Sequence, residues 1–595
     1  MKNSSYVLVL LLFLSVFSVS FLQIGMVNAQ DTIYIRADGS VEGTDKILRD
    51  GKIYTFTGDV YCPIVVEKDD VVIDGAGYTL HGNGSGYGIH LIRRSYVTIR
   101  NMEIKEFDTG IRFYWGSNNS IHENSIINND WGMYLDHSKN NIISGNNITN
   151  NAMGIRISMS PNNVLRDNQI GNNRYNFGLS GGNFVDFVND IDASNTVDGK
   201  PIIYWVNEKD KTVPLDAGHV TLVNCTGITV KNLTLTNNGE GILLAFTENS
   251  TITQNTITNN GPGIFFYGSS RNNISANYIA HNEGNGISIR GGGNNLFGNT
   301  IINNGANGVL LYFSNYNIIR GNNITENYRG LDIYGSQYNS ISGNSVANNS
   351  MGLWFFGSYS NYLLGNNITD NQVGIDFQMD SSSNRIYCNN FVNNEVLFDD
   401  TSVNFWDNGT VGNYWSDYTG IDWDGDGIGD TAYIIDENNR DNYPMMEPVG
   451  RLMAPVTIFN AGTWEGKNFN VYVVSNSTVS EFSFDPEGTR IRFNVMGENE
   501  TTGFCNVTIP KGLLNTEGSW AVLVDAVIVT PITVNEDATN KYLYFTYYHS
   551  SKTIVIIGTD AIPQFPSWSI LVFGLSIVLI LSIILRQRIK KGRKS

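Results

Sequence analysis

Asp422-Trp-Asp-Gly-Asp-Gly-Ile-Gly-Asp430 places carboxylates at positions 1, 3, 5 and 9 of one short segment, with glycine at position 6. Alternate carboxylates in a loop turned by glycine enclose a hard cation through oxygen ligands. The segment therefore predicts a Ca²⁺ site made by Asp422, Asp424, Asp426 and Asp430 with the carbonyl of Ile428. Position 12 is Tyr433 rather than Glu, so another carboxylate, Asp417, Asp436 or Asp441, is needed to complete the shell. The competing reading is a solvated acidic turn, in which four unneutralised carboxylates would repel one another. The expected role of the ion is structural.

A second group of residues recurs at matching places in a repeated segment. One column holds Tyr114, Asp136, Ser158, Ala245, Tyr267, Arg290, Tyr312, Tyr334 and Phe356, and its neighbour holds Arg112, Tyr134, Arg156, Phe265, Asp332, Trp354 and Asp376. A flat face of rings flanked by Arg and Asp suits sugar rings, which stack on aromatics and hydrogen-bond through their hydroxyls. Tyr134, Arg156, Tyr267, Tyr312, Tyr334 and Trp354 are the candidate ligand-binding residues. Equally, aromatics in a column can serve only to stabilise a sheet by cross-strand stacking. Asp332 and Asp376, with Arg112, are the candidate catalytic groups; the two carboxylates fall two segments apart, about 10 Å if the segments stack, slightly wide for an inverting acid and base pair.

Other chemistry finds less support. His90, His122, His137 and His281 fall at different places in the repeat, so no cluster of His, Met or Cys converges on a copper ion. Cys62, Cys225, Cys388 and Cys505 read as isolated residues, because Cys225 and Cys388 lie several repeats apart, beyond disulfide reach. A net charge of −18 argues against nucleic acid as a partner.

These residues must be positioned by a periodic scaffold. A 22-residue segment opening on glycine returns eleven times, at Gly88, Gly110, Gly132, Gly154, Gly241, Gly263, Gly286, Gly308, Gly330, Gly352 and Gly374. Within each, apolar residues alternate after the glycine and then recur singly between Asn/Ser/Gly clusters, as at Ile111, Phe113, Ile121 and Ile126. That is three short strands per segment, and it predicts a right-handed parallel β-helix with 22-residue coils. The columns beginning Ile89, Ile111, Met133 and Leu91, Phe113, Leu135 contain no charge and should point inward. The column Asn124, Asn146, Asn168, Asn255, Asn277, Asn299, Asn322, Asn344, Asn366, Asn389 should hydrogen-bond along the stack and, since Asn tolerates left-handed backbone, set the turn.

Residues 1–29 read as a secretory signal ending in Val27-Asn-Ala29, and 30–87 as a cap with the first coils. The β-helix is expected over 88–400, with an inserted lobe at about 176–217 in which Ile202–Val206 and Thr212–Leu215 form a projecting hairpin. Residues 401–448 carry the Asp-rich loop, and the strand-like alternation of 449–562 predicts a β-sandwich stalk. Residues 567–585 are uncharged and precede a basic tail, 586–595, so a single C-terminal transmembrane helix should anchor the chain with the rest outside. Asn-x-Ser/Thr sites such as Asn147 and Asn506 fit an extracytoplasmic glycoprotein, although the repeat itself generates Asn-Ile-Thr.

The 22-residue repeats, the segment Val197-Asp-Gly-Lys-Pro-Ile-Ile-Tyr-Trp205, and Gly412-Asn-Tyr-Trp-Ser-Asp-Tyr-Thr-Gly420 leading to Asp441-Asn-Tyr-Pro444 resemble the NosD-like right-handed β-helix family, also described as carbohydrate-binding and sugar-hydrolase domains. The resemblance covers about Ile64 to Pro448. It implies an extracytoplasmic role in carbohydrate binding or copper maturation. The preferred expectation is a membrane-tethered surface protein that binds polysaccharide or glycoprotein glycans without turnover. A polysaccharide lyase or glycoside hydrolase, a copper-related maturation factor and a purely structural coat or adhesion protein are the alternatives.

Overall fold

The structure, a computed structural model, describes residues 32–398, 402–449, 456–464, 467–475, 477–497, 502–516, 518–530, 532–536 and 539–561. Among these no helix is long and apolar enough to cross a membrane. The expected signal segment 1–29 and membrane span 567–585 lie outside the described residues. The fold is an all-β parallel solenoid of about 16 turns, shared between two compact units. The first runs to Ser250 and includes Asn255–Gly268 and His281–Gly284; the second comprises Thr251–Gln254, Ser269–Ala280 and the chain from Asn285 on.

In the first unit, strands Tyr87–Ile92, Thr109–Tyr114, Trp131–Asp136, Met153–Ser158 and Tyr175–Ser180 stack in parallel with a constant register, Ile111 beside Met133 beside Ile155. Alternation of period 2 sends Ile111, Phe113, Met133 and Leu135 into a fully buried core and leaves Arg112 and Tyr134 outside. Glycine opens each coil for a steric reason. A Cβ on Gly110 would lie 2.7 Å from the carbonyl oxygen of Gly132, and one on Gly132 would lie 2.6 Å from that of Gly154. At the N-terminal edge, Val41–Glu42 pairs antiparallel with Ile33–Ile35, and Ile47–Asp50 pairs antiparallel with Ile53–Phe56.

Two expectations require correction here. Ile202–Val206 and Thr212–Leu215 do not form a projecting hairpin; Lys200–Val206 instead turns back at its start on Thr196–Val197, antiparallel, with Thr196 opposite Pro201 and Val197 opposite Lys200. It pairs in parallel with His219–Val223, and Thr212 pairs in parallel with Thr229, so the segment is a shorter coil of the solenoid itself. Burial of Ile202, Ile203 and Tyr204 supplies the driving force. The second correction concerns the turns. The buried ladder asparagines do not hold the left-handed backbone; the residue before each one does, as at Glu123, Gly145, Asp167, Gly321, Gly343 and Gly365. The asparagines instead bond to one another along the stack: Asn124 Nδ2 donates to Asn146 Oδ1 at 3.0 Å, and Asn146 Nδ2 to Asn168 Oδ1 at 2.9 Å.

The second unit repeats the arrangement in strands Ile287–Arg290, Asn307–Tyr312, Arg329–Tyr334, Met351–Phe356 and Val373–Gln378. Beyond them two five-stranded antiparallel sheets enclose a core of Val471, Val473, Ile491, Phe493, Val507, Phe545 and Ile556. Their first strand, Val456–Trp464, lies against the flank of the coils: Val456 and Ile458 are buried with Leu364 and Cys388, and the Ser340 hydroxyl donates to the carbonyl of Val456. Among the described residues no disulfide joins the four cysteines, and Cys225, Cys388 and Cys505 are buried.

Candidate functional site

Constant register puts the odd residues of the outward column next to one another in the second unit. Leu310, Asp332, Trp354 and Asp376 are direct neighbours on four successive parallel strands, so Trp354 lies between the two aspartates. Alongside runs the row Tyr312, Tyr334, Phe356. Tyr312 and Tyr334 stack with centroids 5.1 Å apart, and Tyr334 and Phe356 stack at 4.8 Å. Arg290 lies 4.5 Å from the Tyr312 ring. Arg329 lies 3.8 Å from the Trp354 ring, so one indole face is occupied by a guanidinium.

Asp332 is the unusual member. Although it points outward from the sheet it is only 4% exposed, and burial raises its carboxyl above the usual range against the opposing pull of Arg329. Its Oδ2 accepts from Arg329 Nη1 at 2.9 Å and from Asn307 Nδ2 at 3.0 Å. Asp332 Oδ1, Asn307 Oδ1 and Arg329 Nε are buried with no partner among the described residues. Buried polar atoms without partners are costly, and three in one cluster suit a polar ligand or water that bonds to all of them. Asp376, also buried, accepts from Gln378 Nε2 at 2.9 Å.

The first unit holds the remaining candidates in other company. Arg112 lies 3.9 Å from the Tyr134 ring and pairs with Asp136 at 2.9 Å, while Trp131 stacks on Tyr134. Arg156 pairs at 2.7 Å with the buried Glu240, whose other oxygen accepts from the Leu179 amide. Tyr267 packs on Phe187 and Phe246, and its hydroxyl donates to the carbonyl of Gly182. The fold thus gathers Asp332, Asp376, Tyr312, Tyr334 and Trp354 on one face of the second unit. Arg112, Tyr134, Arg156 and Tyr267 belong to the first. Arg329 and Asn307 are the site residues that sequence reasoning missed. The available signal was Arg329 immediately before the coil-opening Gly330, three residues from Asp332.

In the Asp-rich loop the carboxylates of Asp422, Asp424 and Asp426 offer oxygens within 4.8 Å of one another. Glycines at 425 and 427 take the left-handed turns that wrap the loop. Asp422 accepts from the amides of Gly425 and Gly427, which lower its carboxyl pKa, and Asp430 accepts from the Trp423 amide at 2.6 Å. Ile428 pairs with Met445 across an antiparallel bridge. The three carboxylates named as completing the shell are committed elsewhere. Asp417 accepts from the Tyr433 hydroxyl, Asp436 from the amides of Asn438 and Asn439, and Asp441 from Trp415 Nε1 at 2.9 Å.

Among solved structures, the chain is similar to the periplasmic alginate epimerase AlgG, 14% identical over 62% of this chain and 81% of that one, with a TM-score of 0.29. It is also similar to the A-module of the Azotobacter vinelandii mannuronan C-5 epimerase AlgE4, 11% identical over 58% and 88% at a TM-score of 0.28. The DFA-IIIase of Arthrobacter chlorophenolicus A6 is 13% identical over 55% and 66%, at a TM-score of 0.18. Likenesses this distant carry no argument about activity. No curated protein matches the sequence. The family model described as periplasmic copper-binding protein (NosD) matches residues 29–214, 206–307 and 294–420, well over half the chain. Together with the parallel β-solenoid, that match places this chain in the NosD family.

Proposed function

We propose that this protein is an extracytoplasmic, membrane-anchored surface protein that binds polysaccharide or glycoprotein glycans on the outward face around Trp354, without turning them over. The observation that carries the proposal is the juxtaposition of Trp354 and the Tyr312–Tyr334–Phe356 row with the buried, partnerless oxygens of Asp332 and Asn307. Rings supply stacking surface, and the buried polar atoms supply hydrogen bonds that fix a hydroxyl-rich ligand. The sequence of 1–29, read as a secretory signal, and that of 567–585, read as a membrane span, support this compartment and anchor. Binding of the purified protein to a glycan array tests the proposal. Trp354→Ala is expected to weaken the binding that is found about tenfold or more, a loss of about 1.4 kcal/mol. An array without binding would leave a purely structural coat or adhesion role.

The raised carboxyl of Asp332 favours a second reading, in which Asp332 is a general acid of a lyase or hydrolase. Release of reducing ends or unsaturated products from a polysaccharide panel, abolished by Asp332→Ala, would establish it. The copper in the family's name finds no matching donor set among the described residues. His137 stacks on Trp115 and bonds Asp136, His90 packs on Tyr87, and His219 is buried against Phe177 with Nε2 on Thr221.

The Asp-rich loop is proposed as a structural Ca²⁺ site, with Asp422, Asp424, Asp426, Asp430 and the Ile428 carbonyl as ligands. Calorimetry should register Ca²⁺ binding that Asp424→Ala and Asp426→Ala remove. Titration without a Ca²⁺ heat would leave an ordinary acidic turn.

A further inference from the structure

Within the second unit, the last coils and the antiparallel sheets enclose a cavity of about 600 Å³, a size that accommodates one or two sugar rings. Phenol rings dominate its walls. Tyr338, Tyr362 and Tyr387 come from the coils, and Tyr472 and Tyr542 from the sheets. Tyr362 and Tyr472 meet with ring centroids 4.8 Å apart. Burial raises the phenols of Tyr362 and Tyr387, the latter to about 12, so both stay neutral.

The charge of the lining is the informative feature. The protein carries 56 acidic and 38 basic residues, yet this cavity is lined by Arg385, Lys467 and Lys511 and by no carboxylate. Lys511 is paired with Glu536 at 3.0 Å. Arg385 has no carboxylate partner among the described residues. Its guanidinium lies 5.7 Å from the Tyr362 ring and 5.4 Å from the Phe405 ring, and it remains reachable from solvent. Lys467 lies over the Phe469 ring at 5.4 Å, likewise without a carboxylate partner among the described residues. A guanidinium held between rings and facing an open cavity is arranged for a bidentate anion.

We infer that this cavity is a second binding site, selective for a carboxylate-bearing sugar such as a hexuronate residue, with Arg385 receiving the carboxylate and the tyrosines stacking on the ring. The inference is independent of the outward-face reading, because none of the residues around Trp354 lines the cavity.

The test is calorimetric titration of the full-length protein with tri-galacturonate and with the same trisaccharide reduced at its carboxyls to the neutral hexose. The acidic form is expected to bind at least tenfold more tightly, and its advantage should shrink as salt rises. Arg385→Gln should erase the preference, Arg385→Lys should restore part of it, and Trp354→Ala should leave it intact. Lys467→Gln, also in the lining, provides a second variant should Arg385→Gln fail to fold, with an expected loss of a few-fold in the preference. Equal binding of the two trisaccharides, absence of binding by either, or a preference that survives in a folded Arg385→Gln protein would overturn the inference. A preference lost in Trp354→Ala would place the acid on the outward face and overturn it as well.

Discussion

Gly330→Ala is expected to destabilise the second unit by about 3 kcal/mol or more, the range of the most damaging single substitutions. Its added methyl would lie 2.6 Å from the carbonyl oxygen of Gly352 and 2.6 Å from Val346 Cγ1. The carbonyl belongs to the next coil's parallel strand and cannot rotate away without breaking the ladder. Flexible neighbours could yield; a backbone oxygen on either side of a stacked coil cannot. The informative control is Gly343, whose left-handed φ of 60° faces open space. Asn tolerates that conformation, so Gly343→Asn is expected to cost about 1 kcal/mol or less. Urea midpoints of the two variants should separate accordingly. Equal midpoints would mean that the coil-opening glycines serve some need other than close stacking.

Asn322→Leu is expected to cost about 3–5 kcal/mol, while Asn323→Ala, one residue along, should change stability by about 0.5 kcal/mol at most. Asn322 is buried, and its Nδ2 donates to Asn344 Oδ1 at 3.0 Å, to the Leu296 carbonyl at 3.0 Å and to the Arg320 carbonyl at 3.1 Å. Its own Oδ1 accepts from the amide and the side chain of Asn299, at 3.0 and 2.9 Å. Leucine would fill the space and leave buried donors and acceptors on three coils without partners. Asn323 begins the next strand and is exposed. Because each coil contacts mainly its neighbours, the loss should appear first as reduced hydrogen-exchange protection in Ile318–Arg320 and Ser340–Ser342. Uniform loss of protection over the whole chain would contradict that locality.

These two substitutions also show what the sequence makes legible. A fixed period exposes the inward columns and the glycine column because every coil must satisfy the same packing and the same close approach. The asparagine column is equally visible, but its function is not. Whether the ladder residue or the one before it takes the left-handed φ depends on where the corner falls, and Gly-Asn pairs such as Gly321-Asn322 fit either placement. The stretch 202–215 resembles a hairpin in sequence for a related reason. A coil of different length breaks the period, and apolar alternation followed by Asn-Glu-Lys-Asp has the local chemistry of a hairpin turn.

The site residues divide along the same line. Asp332 and Trp354 stand out because their outward column mixes rings with charged residues such as Arg112, Arg156 and Asp376, whereas the inward columns hold no charge. Arg329 and Asn307 do not, because their importance lies in reaching across the sheet to Asp332, which no column displays. Least legible is the cavity. Arg385, Tyr472 and Tyr542 are brought together by the packing of antiparallel sheets on the coil flank, and residues so far apart in the chain leave no local pattern.

The most direct measurement is a crystal structure of the protein soaked with an oligosaccharide that it binds in solution. Intact sugar density lying across Trp354 and Tyr334, with hydroxyls on Asp332 Oδ1 and Asn307 Oδ1, is the expected result. Sugar bound elsewhere with that face bare, or cleaved products found there, would contradict it.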